Sequence, residues 1–194
     1  IQTLREVSLL GSCVSVLGWD EQTYLPPAGA EHRANQLSLL AGMRHDRATS
    51  SRIGELLGEL ESSGDLGADD SPVAVNVRDA RRQYNRATKL PKRLVEELSR
   101  VTSLSQQAWV ESRKKKEFAS FLPWLEQVIT LKQEEAEAIG YGDGVPYDAL
   151  LDDYEPGAKT ADVAATFALL RKETVQLVKA IRESGKEPDG SILT

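Results

Sequence analysis

The stretch GWDEQTYLPP, residues 18–27, sets two carboxylates, Asp20 and Glu21, side by side behind Trp19. Paired acids can divide the work of hydrolysis, one donating a proton while the other accepts one. The apolar run before them reads as helix, however, and consecutive helical residues point about 100° apart. Asp20 and Glu21 therefore cannot readily converge on one substrate atom. A structural reading fits better: Trp19 packs at the helix end, Asp20 or Thr23 caps or braces the turn, and Pro26-Pro27 starts the next helix.

Metal chemistry finds little support in the residues. His32 and His45 are the two histidines, and thirteen positions on one helix turn them about 140° apart. Neither belongs to a His-Glu-x-x-His pair, the spacing that places two zinc ligands on one face. Glu31 neighbours His32 in sequence and so points elsewhere. Surface or helix-pairing roles are expected for both histidines. No Gly-x-Ser-x-Gly elbow occurs, and Cys13, in LLGSCVSVLGW, has no histidine near it in sequence. Cys13 is expected to be a small buried apolar residue. Gly140, Gly142 and Gly144 follow a helix rather than a strand and lack a Gly-Lys-Ser/Thr ending, so they read as a helix stop and turn. Asp152, Asp153 and Glu155 lack the alternating ligands of a calcium loop and read as solvated turn residues. From the residues alone, no catalytic, cofactor-binding or metal-ligating position can be assigned.

Composition narrows the partners. A net charge of −6 argues against a general nucleic-acid or anionic-membrane binder. The one local exception, Arg113-Lys114-Lys115-Lys116, reads as the solvated last turn of a helix, where cations meet the negative end of the dipole. A single cysteine allows no intrachain disulfide and suggests a reducing, cytoplasmic setting. No run has the eighteen or so apolar residues of a membrane span. The chain begins at Ile1 and its one methionine is Met43, so trimming at the front is expected.

Helical periodicity runs nearly throughout, and the expected fold class is all-α, built of long antiparallel helices in a single region over 1–194. A first helix is expected over 2–19 and a second over about 28–47, with Ala30, Ala34, Leu37 and Ala41 on its buried stripe. A short third helix follows the N-cap candidates Thr49, Ser50 and Ser51, then a loop at about 62–71. A fourth covers about 72–88. Pro91 opens a fifth, to about Lys116, with Leu94, Leu98, Val101, Ser105 and Ala108 buried. A sixth, 118–139, should bury Phe121, Leu125, Val128, Lys132, Ala136 and Ile139, with Pro123 tolerable in a first turn. A short helix at 147–153 precedes a long one capped by Thr160, whose stripe is Val163, Phe167, Leu170, Thr174, Leu177 and Ile181. The longest of these would each exceed roughly 30 Å.

The wording of several segments adds what periodicity cannot. GWDEQTYLPPAGAEHRANQLSLLAG resembles the N-terminal segment of the Taq-type thermostable metallocarboxypeptidases. The resemblance continues in order through RIGELL, VRDARRQYNRATKLPKRLVEELS, QQAWVESRKKKEFASFLPWLEQVITLKQEEAEAIGY and PYDALLDDYEPG. WDxxTxxPP alone is modestly specific; five collinear segments together are strong.

That resemblance implies a helical, cytoplasmic, homodimeric enzyme akin to the neurolysin and angiotensin-converting-enzyme group. Such enzymes remove single residues from peptide C-termini with one metal, zinc or sometimes cobalt. The metal lies on His-Glu-x-x-His and a downstream glutamate, and the motif glutamate acts as general base. This sequence contains no such motif, so no catalytic or metal residue of the family carries over to it. It is expected to be the N-terminal groove-wall part of the enzyme, inactive alone, either as a fragment or as a short homologue. The alternative is a free-standing helical scaffold derived from the family. A missing catalytic half should also leave apolar helix faces uncovered.

Overall fold

The protein's structure, a computed structural model, describes residues 2–191, and among them no strand occurs. The helices are α1 (Gln2–Thr23), α2 (Ala30–Ala48), α3 (Ser51–Ser62), α4 (Pro72–Ala87), α5 (Lys92–Lys115), α6 (Phe118–Ile139), α7 (Pro146–Leu151) and α8 (Thr160–Glu183). Their ends follow local chemistry. The Ser71 hydroxyl accepts the Ala74 N–H ahead of Pro72, so α4 starts with a side-chain cap and a first-turn proline. Lys116 ends α5 in the left-handed region at φ 57°, and Gly140 ends α6 at φ 79°.

The chain divides into two compact units, one running through Gly140 and one beginning at Tyr141. In the first unit α2 packs on both α1 and α5, and α5 packs on α6. Residues 116 and 117 alone connect α5 to α6, so these neighbours run antiparallel. Leu94 and Val101 of α5 meet Leu131 of α6 in one core cluster, flanked by Leu90, Leu98, Trp124 and Val128. Leu94 is wholly buried, and burial of such a side chain is worth about 2–3 kcal/mol. Ile53, Leu57 and Val77 form a second cluster between α3 and α4. In the second unit α7 packs on α8, yet beyond Val163 every residue of α8 is exposed.

Several expectations need correction. Helix α1 runs to Thr23 rather than stopping at Trp19, because the ladder continues until the Tyr24 and Leu25 N–H groups both reach the Asp20 carbonyl. Thr3, Val7, Leu10, Val14, Leu17 and Glu21 are among its half-buried residues and alternate by four and three, and α1 packs chiefly on α2. Cys13 falls off that stripe and is exposed, not buried. On α6, Lys132 is exposed; Leu131 and Glu135 take the buried positions with Ala136 and Ile139. Pro123 lies in the second turn of α6, and the helix passes through it. Thr160 does not cap α8: its hydroxyl and N–H both donate to Asp148 Oδ1, at 2.5 and 2.8 Å. The stripe expected on α8 exists in register, but Phe167, Leu170, Leu177 and Ile181 are all exposed.

Candidate functional site

The GWDEQTYLPP segment is the natural place to look for chemistry, and its two acids part company. Asp20 Oδ2 accepts from Arg33 Nη2 of α2 at 2.6 Å. Glu21 accepts the hydroxyl of Ser103 on α5. Arg33 also donates from Nη1 to the Leu17 carbonyl and from Nε to Gln36 Oε1, so its fork ties α1 to α2 at several points. Its side chain is 10% exposed, against 35% for Asp20. A guanidinium this sheltered needs its partners, since an unpaired buried charge costs several kcal/mol. The pair therefore braces the crossing of α1 and α2, and Glu21 extends the brace to α5. Neither carboxylate faces a shared reacting position, so the arrangement offers no acid–base dyad.

The remaining segment closes the turn. Thr23 donates to the Trp19 carbonyl at 2.8 Å, and the Trp19 and Tyr24 rings meet edge-on at 5.5 Å. Trp19 packs against that ring while more than half exposed, rather than being sealed at the helix end. The bracing expected of Asp20 is real, but its partner lies on the next helix. Arg33 itself escaped the sequence reading. The available signal was a cation four residues before Leu37, on the buried side of α2.

The other candidates stay dispersed. His32 is exposed, and Glu31 beside it lies 3.9 Å from Arg100. His45 is half-buried near the end of α2; burial chiefly holds its imidazole below the usual range, opposed by Asp46 and helped by Lys92. Gly140 and Gly142 adopt positive φ as a helix stop and turn, while Gly144 lies against the Asp148 carboxylate. Asp148 is buried and accepts from the N–H of Val145 and Thr160 and the Thr160 hydroxyl, with Lys159 Nζ at 3.6 Å. Those hydrogen bonds, led by the Thr160 hydroxyl, lower its pKa. Its position at the third residue of α7, after Pro146, was the cue for this capping role. Asp152 Oδ1 accepts the Gly157 N–H at 2.9 Å, which folds the LDDYEPG turn, and Glu155 lines a recess of about 510 Å³ at the start of α8.

No group of three or more His, Cys, Asp or Glu side chains among the described residues is arranged to hold a metal ion.

Comparison with known proteins bears on this layout. The family model for the carboxypeptidase Taq (M32) metallopeptidases matches residues 1–194. Thermostable carboxypeptidase 1 of Thermus thermophilus is 41% identical over 97% of this chain and 39% of its own length. A crystal structure of BsuCP superposes with a TM-score of 0.87 at 32% identity, covering 98% of this chain and 38% of that one. The M32 carboxypeptidase of Deinococcus radiodurans R1 gives 0.76 at 34% identity, covering 96% and 37%. The chain thus spans about 39% of the length of a curated relative it matches across nearly all of its own residues.

Proposed function

Because the chain belongs to the carboxypeptidase Taq (M32) metallopeptidase family, we propose that it serves as the N-terminal, groove-wall region of a zinc-dependent carboxypeptidase. The complete enzyme would remove single residues from peptide C-termini. The observation that carries this reading is a match running through all 194 residues yet covering 39% of a full-length relative. On this reading the metal ligands and general base are contributed by sequence other than these residues, and the braced helices hold one side of the groove. Rigid elements position substrates better than loops do, and the Arg33–Asp20 brace supplies such rigidity.

The chain alone is proposed to be inactive. The uncovered apolar face of α8 supports a missing packing partner, whether further polypeptide or the second subunit of a homodimer. A single cysteine supports a cytoplasmic setting; no helix among the described residues is long and apolar enough to cross a membrane.

The decisive experiment reads the coding sequence after Thr194, where an in-frame His-Glu-x-x-His is expected. A stop codon there would favour the free-standing scaffold instead. As a biochemical check, these 194 residues should release no amino acid from blocked dipeptides, with or without added zinc. Turnover by this chain would overturn the groove-wall assignment.

A further inference from the structure

We draw no further inference here: the strongest candidate, the recess at the start of α8 lined by Glu155, Lys159, Asp162 and Phe167 among others, is bounded by the exposed apolar face of that helix, and nothing in the structure shows what covers it.

Discussion

At the scale of single residues, the Arg33–Asp20 pair shows how partner accessibility sets the cost of losing it. Asp20→Ala takes the ionic partner from a guanidinium that is 10% exposed and leaves it only the neutral Leu17 carbonyl and Gln36, while Arg33→Met leaves a carboxylate 35% exposed that can turn toward water. The first change should destabilise by about 3 kcal/mol and the second by roughly half as much, read from urea midpoints. Equal, small losses would mean the pair behaves as a surface contact. His45 gives a pH signature. Its folded pKa lies below the ordinary 6.5, chiefly through burial, so the unfolded chain takes up the proton first. Its contribution is therefore intact above about pH 6.5 and fades as pH falls toward the folded value. His45→Gln should flatten the melting temperature between pH 7.5 and 5.5 relative to the parent, by about a degree or more. Cys13, exposed on α1, should react stoichiometrically with a thiol reagent in the native state.

At the scale of elements, close approaches decide which substitutions a helix pair tolerates. A Cβ added to Gly54 of α3 would fall 2.7–3.1 Å from the Tyr84 phenol of α4. The ring cannot shorten as a flexible chain could, so Gly54→Ala should cost about 1–3 kcal/mol despite its better helix propensity. A variant as stable as the parent would show that α3 and α4 separate freely. Asp148→Asn should speed amide exchange at Val145 and Thr160, whose N–H groups the carboxylate now holds. The lowered Asp148 pKa means this tie persists above the usual carboxylate range and is lost as pH falls through the folded value. The same elements show what a sequence can reveal. Pro72, Pro91 and Gly140 announce helix ends because their effects are local. The Lys132 and Leu131 exchange on α6 is one position, within what a 3.6-residue period can blur. Ser103 lies 82 residues from Glu21, and the Asp20–Arg33 contact depends on how two helices cross. No local pattern encodes such a crossing. Cys13 misled for a related reason: α1 packs chiefly on α2, so apolar content on its other side stays in water.

At the scale of the whole molecule, the distribution of apolar surface is the feature most in need of a partner. The α8 stripe alternates by four and three through Phe167, Leu170, Thr174, Leu177 and Ile181, a period that on other helices of this chain marks a buried face. Here Phe167 and Leu177 are 63% and 61% exposed, with Leu170 and Ile181 close behind. Surface helices rarely keep so regular an apolar row in water, because each such side chain forfeits about 1.5–3 kcal/mol of burial. The stripe should therefore drive self-association when nothing else covers it. Sedimentation velocity of the isolated chain should show a concentration-dependent shift to larger species. Phe167→Glu with Leu170→Glu should raise the dissociation constant by about a hundred-fold or more, since it places charges in the contact. Circular dichroism would confirm that the helices survive. A chain that sediments as a monomer at every concentration, with or without these changes, would show that the α8 face tolerates water after all. It would also remove the physical support for a missing packing partner, leaving the groove-wall assignment to rest on family membership alone.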